Sequence, residues 1–266
     1  MGDGGGWLWR RRAVISFLLV VAATIFVTEQ IIYSGPLVDF DYYVHYLRLD
    51  QRYPSVYTPL FYLVMLGQRG PTAIPAFVIA TFLAWRRRSW RPIFVLGLSL
   101  LTLNVTVGVM KLWTARLKPS DNSTAPFHHG GIIFPSGHAS NVVVTWGIVA
   151  YLLVRYGPLK KRWPGGLLTL AATVIVGLCS IYLDTHWVTD IIAGWTIGLG
   201  IVQATIWMDR RTPDDIVRRA IGWVRPSGGT ATPPHTREPS TPLLAPTGRD
   251  AVDHREATAR SSYARR

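Results

Sequence analysis

Residues 177–195 read GLCSIYLDTHWVTDIIAGW. An apolar run ends at Leu183. Asp184, Thr185 and His186 follow, and Asp190 comes next before the chain turns apolar again. His186 and Asp190 are four residues apart, so on a helix they share one face. The polar hinge joins two hydrophobic segments of about the length that crosses a bilayer. At 1.5 Å per residue, roughly 20 apolar residues span a hydrocarbon core about 30 Å thick.

The rest of the chain repeats that layout. Of 266 residues, 49% are hydrophobic, 11 are Trp and only 16% are charged. The apolar residues fall in blocks separated by short basic stretches, as in a polytopic membrane protein. A net charge of +13 would suggest nucleic acid in a soluble protein. Here much of the excess sits beside hydrophobic segments or in a polar tail, and no basic stretch joins a nucleic-acid motif, so nucleic acid is not read as a partner. Cys179 is the only cysteine, which excludes an intrachain disulfide and a zinc ribbon. Its apolar surroundings read as a small buried side chain.

Six spans account for the blocks: residues 13–33, 71–86, 92–113, 137–155, 166–184 and 187–208. The first follows Arg10 to Arg12 as a signal peptide would, but it is longer than a usual apolar signal core and lacks a small-x-small cleavage site. Residues 58–67 are apolar yet too short to cross and read as a re-entrant or interfacial helix. Residues 34–57, polar and aromatic, read as a loop or interfacial segment. With this count, four basic groups fall on one side: Arg10 to Arg12, then Arg86 to Arg91, then Arg155 to Arg162, then Arg210 to Arg219. The positive-inside rule makes that side cytoplasmic. The reading is all-α: a cytoplasmic N-terminus (1–12), a six-span membrane domain (13–208) and a basic, Pro/Thr-rich tail (209–266) that is largely disordered and cytoplasmic. Within the tail, residues 212–224 suit a short surface helix, with Thr212 at the N-cap and Pro213 at N1.

Three polar clusters then share the opposite face. Lys111, Arg116 and Lys118-Pro119 close the third span; three cations there run against the charge bias and suit an anion. Phe134-Pro135-Ser136-Gly137-His138 opens the fourth. A helix start offers free N–H groups and a positive dipole end to an anion, and Gly137 lets it approach the backbone. Ser136 adds a hydroxyl, and His138 can pass a proton near neutral pH. His186 and Asp190 complete the set, the carboxylate fixing the imidazole's tautomer so that its other nitrogen is a directed nucleophile or base. Cations, an acid and an oriented imidazole are the parts of phosphoryl transfer. His128 and His129 read as solvated loop residues, with lining of the site's mouth or metal binding as the other readings. Asp184 either tunes His186 or faces water, and Trp187 sits where an interfacial aromatic is expected.

In order and spacing these residues resemble the type 2 phosphatidic acid phosphatase superfamily, whose pattern is Lys, six residues, Arg-Pro; then Pro-Ser-Gly-His; then Ser-Arg, five residues, His, three residues, Asp. The resemblance covers about residues 53–208. It implies a metal-independent, cofactor-free lipid phosphatase. His186 would be the nucleophile that becomes a phosphohistidine, Asp190 its partner and His138 the general acid. Lys111, Lys118, Ser136 and Gly137 would bind phosphate. The substrate implied is a membrane-held polyprenyl diphosphate or monophosphate, or a glycerolipid phosphate. The expected setting is a bacterial plasma membrane, with the site facing the periplasm or exterior. One motif departs from the pattern: Cys179-Ser180 stand where the family has Ser-Arg. An Arg fork makes bidentate phosphate contacts that Ser cannot copy. Arg116, or the Ser180 hydroxyl, are the candidates to compensate. The gap keeps two other readings open: a phosphotransferase using the same histidine, and a non-enzymatic membrane protein with a decayed site.

Overall fold

The computed structural model describes residues 4–128 and 130–213. Nine α-helices and no strand occur among them. Long helices α1 (Gly4–Ile32), α6 (Arg91–Thr114), α7 (Gly137–Arg155), α8 (Trp163–Tyr182) and α9 (Val188–Arg211) alternate with shorter ones: α2 (Pro36–Tyr46), α3 (Leu49–Arg52), α4 (Tyr57–Val64) and α5 (Arg69–Arg87). Five helices are long and apolar enough to cross a membrane on their own, the first counted from Arg11. Pro54–Gly67 and Arg69–Arg87, bent by 48°, pass the same test only together, which gives six spans if that pair counts as one. The all-α, polytopic reading holds, and the protein is an integral membrane protein. The tail beyond residue 213, with all but the first two residues of the surface helix expected at 212–224, and His129 lie outside the described residues. Thr212 closes α9, its hydroxyl donating to the Met208 carbonyl.

Helix α7 is the central element. Its Val144, Ile148 and Leu152 are fully buried in a core with Ala76, Ala80 and Leu83 of α5, Leu96, Leu103 and Val107 of α6, and Ile197 and Ile201 of α9. By contrast α1 turns Leu18, Leu19, Ile25 and Phe26 outward, each more than half exposed. Such a surface is stable only against hydrocarbon. Two glycines bring α7 and α9 together. A Cβ on Gly194 would lie 2.8 Å from the Ser136 carbonyl oxygen, and one on Gly198 would lie 2.8 Å from Val143 Cβ. Small residues let helix backbones approach in this way.

At one end of the bundle Arg91 Nε donates to Asp209 Oδ1 (2.7 Å), the hydroxyls of Tyr151 and Tyr156 donate to the same carboxylate, and Arg87 Nε donates to the Tyr156 carbonyl (2.7 Å). These contacts gather the ends where the sequence places Arg86 to Arg91, Arg155 and Arg210. The motif residues all lie at the other ends of the same helices.

The segment 34–57 differs from the loop expected. Gly35 caps α2, Pro36 occupies its first turn and Asp39 follows, signals a helix start favours. Polar residues on its inner face lowered its hydropathy, and those residues are the ones the fold uses.

Candidate active site

His186 lies in the short connection between α8 and α9. Asp190, in the first turn of α9, accepts from the Trp187 backbone N–H (3.1 Å) and so closes the start of the helix. The same oxygen stands 3.4 Å from His186 Nδ1. A carboxylate only accepts, so Nδ1 carries the proton and Nε2 keeps its lone pair. Across from it, His138 sits in the first turn of α7. The two imidazole rings are 6.4 Å apart at 68°. The Ser136 N–H donates to the Asp190 carbonyl (3.0 Å), which ties the start of α7 directly to the start of α9.

Ser136 is buried and acts as N-cap: its hydroxyl accepts from the Ala139 N–H. The face beside Gly137 is open. Beyond its chain neighbours, the one atom within 4 Å of a Cβ built there is Arg69 Nη2, at 3.7 Å. Lys111, in the last turn of α6, donates to the carbonyls of Ile132 and Ile133, with Asp190 and Arg69 within electrostatic reach. His138 in turn feels His186, Lys111 and Arg69. Structure thus brings together Lys111, Gly137, His138, His186 and Asp190. Lys118 stays exposed at the rim, and among the described residues its side chain makes no hydrogen bond or ion pair with the others.

Arg116 takes a different place from a phosphate ligand. Its side chain is wholly buried behind Asp190. Nη1 donates to Asp190 (2.5 Å) and Thr189 Oγ1 (2.8 Å), Nη2 to Asp41 (2.8 Å) and Nε to the Thr124 carbonyl (3.1 Å). Every nitrogen is used, so the guanidinium holds the carboxylate that holds His186. Asp41, from α2, was not singled out by the sequence. It also accepts from the N–H and hydroxyl of Thr189. Burial pushes its carboxyl up, against the pull of Arg116.

Three other residues land differently. Ser180 is buried and gives its hydroxyl to the Val176 carbonyl of its own helix (2.8 Å). Asp184 accepts from His45 Nδ1 of α2 (2.9 Å), and Asn122 meets the other ring nitrogen (3.0 Å). Trp187, expected at the membrane interface, is buried: its indole N–H donates to the Leu117 carbonyl, and Arg116 stacks 5.6 Å from its ring. His128 is an exposed loop residue.

Arg69 is the residue the sequence reading missed. It starts α5, at the bend after Gly67. Asn141 of α7 donates to the Gly67 carbonyl (3.0 Å) and to Thr72 Oγ1 (2.9 Å), and the Trp146 indole donates to the Leu66 carbonyl (3.1 Å). A Cβ on Gly67 would lie 2.8 Å from the His138 carbonyl oxygen. The bend is therefore seated against the first turn of α7. One signal was available: an arginine at the end of a span opposite the four basic groups, against the charge bias.

A polytopic helical membrane protein with an Asp-held histidine facing a second histidine at a helix start is the class this fold and site define. The profile of the PAP2 superfamily matches residues 92–213. Phosphatidylglycerophosphatase B of Bacillus subtilis (strain 168) is 30% identical over 125 residues, 46% of this chain and 60% of that protein. Undecaprenyl-diphosphatase of Sulfolobus acidocaldarius is 31% identical over 80 residues, 30% of this chain and 35% of that protein. The match thus spans less than two thirds of either relative. Among solved structures, the transmembrane PAP2-type phosphatidylglycerolphosphate phosphatase from Bacillus subtilis shares the fold, with a TM-score of 0.63 at 23% identity over 76% of this chain and 97% of that one.

Proposed function

We propose that the chain is a membrane phosphatase that hydrolyses a lipid phosphate monoester or diphosphate through a phosphohistidine at His186, without a metal. The observation that carries this is the pair of imidazole rings 6.4 Å apart, one held through Nδ1 by Asp190. A phosphoryl group fits between them. His186 Nε2 forms a bond to phosphorus as the bond to the lipid oxygen breaks, and protonated His138 gives its proton to that leaving oxygen. Water then attacks phosphorus, His138 takes its proton, the P–N bond breaks and orthophosphate leaves. Lys111, Lys118 at the rim and the first N–H groups of α7 neutralise the phosphoryl oxygens.

The substrate head group reaches the site at the span ends while its chains stay in the bilayer. The names of the two relatives make a glycerolipid phosphate and a polyprenyl diphosphate the first two lipids to try. The basic helix ends support an orientation with those ends in the cytoplasm, and the proposed setting is a plasma membrane with the site on its exterior or periplasmic face.

The test is orthophosphate release from a panel of both lipid classes by detergent-purified protein in EDTA, with His186→Ala beside it. Release by wild type and not by the variant is the expected result. Release that needs an added divalent cation overturns the metal-free reading. Phosphate that appears on an added lipid or sugar alcohol, and not in water, makes the protein a transferase.

A further inference from the structure

We propose that Arg69 is the phosphate-binding arginine of this chain, standing in for the one that the superfamily's third motif carries where this sequence has Ser180. The proposal rests on the phosphatase reading of the site. Both substitutes that the sequence offered are committed elsewhere: Ser180 turns its hydroxyl onto its own helix, and each nitrogen of Arg116 is held by Asp41, Thr189, Thr124 or Asp190.

Arg69 has the opposite character. Its Nη2 lies beside Gly137 at the open start of α7, 3.7 Å from where a Cβ would be, and its side chain is exposed. Among the described residues it forms no ion pair. Nothing structural favours a cation there. A positive residue at the first position of a helix opposes the dipole, and this end of the bundle runs against the positive-inside bias. Arg69 also converges with Lys111 and His138, groups that repel it when charged. Asp190, the carboxylate that Lys111 feels, is already paired with Arg116. Convergence of like charges on an open helix start is relieved by an incoming dianion. The bend that carries Arg69 is fixed by Asn141 and Trp146, so the guanidinium is delivered on a seated turn. Its planar fork supplies the paired donors that the Ser at 180 lacks.

The probe is orthovanadate, which mimics the pentacoordinate phosphoryl group. Its binding to detergent-purified full-length protein is measured by calorimetry, and phosphate release from the active lipid is measured in parallel. Arg69→Gln is expected to weaken vanadate binding and lower kcat/KM by about 100-fold, the usual effect of losing one transition-state donor. Millimolar ethylguanidinium is expected to restore part of the activity, which a merely structural role would not allow. Arg86→Gln, at the other end of α5, serves as control and is expected to match wild type. Bound vanadate should also shield Arg69 of the wild-type protein from phenylglyoxal, a readout that needs no variant. Arg69→Gln with wild-type affinity and turnover, or Arg69 labelled equally with and without vanadate, overturns the assignment and leaves the phosphatase standing. Arg69-dependent vanadate binding without lipid hydrolysis supports Arg69 and overturns the hydrolase. A wild-type protein that neither binds vanadate nor releases phosphate overturns both.

Discussion

Arg116 Nη1 stands 2.5 Å from Asp190 Oδ1, and both side chains are wholly buried. The cation the sequence offered as a phosphate ligand is thus the support of the carboxylate beside His186. Removing one member of a buried pair leaves an uncompensated charge and typically costs about 3–5 kcal/mol. Arg116→Ala is therefore expected to lower the melting temperature sharply along with activity. Lys118→Ala, exposed at the rim, is expected to leave the melting temperature unchanged and to act on lipid turnover alone. Equal thermal stability of the two variants would count against this division of roles.

Two carboxylates share Arg116, and they are not equivalent. Asp190 touches His186; Asp41 touches only Thr189 and the guanidinium. Asp41 stands behind Arg116 and Thr189 and does not meet the histidine itself, so its loss reaches the site only through them. Asp41→Asn is expected to keep activity within about tenfold. Asp190→Asn deprives His186 of its fixed tautomer and is expected to cost about 10³–10⁴-fold in kcat, the scale known for His–Asp pairs. Phosphate-release assays on the two proteins decide; similar losses would mean that Asp190 does not orient the histidine.

The α7–α9 contact sets how far His138 stands from His186. A methyl at Gly194 would meet the Ser136 carbonyl oxygen at 2.8 Å and Ala139 Cβ at 3.0 Å. Gly194→Ala is expected to destabilise by about 1–3 kcal/mol through overpacking and to lower kcat more than it raises KM. Gly166→Ala, which meets nothing within 4 Å, is the control. Wild-type kcat in Gly194→Ala would show that the site does not depend on this approach.

Ser180→Ala removes a hydroxyl that bonds only its own helix. Phosphate release within about threefold of wild type is expected, since such a bond contributes little to stability. A loss of two orders of magnitude would return Ser180 to the phosphate site.

Much of this was legible in the sequence because it is local. Hydropathy marked the long helices, and the spacing of His186 to Asp190 and of Ser136 to His138 follows from helix geometry and caps. Span ends needed small shifts: α8 begins at Trp163 and α9 runs to Arg211. What escaped was carried by contacts distant in sequence. Asp41 and His45 lie on one face of α2, in a segment whose polar residues hid it from hydropathy. The structure alone shows that they grip Arg116, Thr189 and Asp184. Arg69 reaches Gly137 only because Asn141 and Trp146 seat the bend before α5. Trp187 read as interfacial because an aromatic at a span end usually is; here α2 covers it.

The most direct measurement is capture of the phosphorylated protein. Radiolabelled lipid phosphate is mixed with wild type, His138→Ala and His186→Ala, quenched within milliseconds to seconds, and the protein-bound label is tested for stability in alkali and lability in acid, the signature of a phosphoramidate. Label on His186 is expected in wild type, forming and decaying more slowly in His138→Ala because both steps lose their proton-transfer group, and absent in His186→Ala. Phosphate release with no protein-bound label in any variant, or label that survives in His186→Ala, would contradict a phosphohistidine at this position.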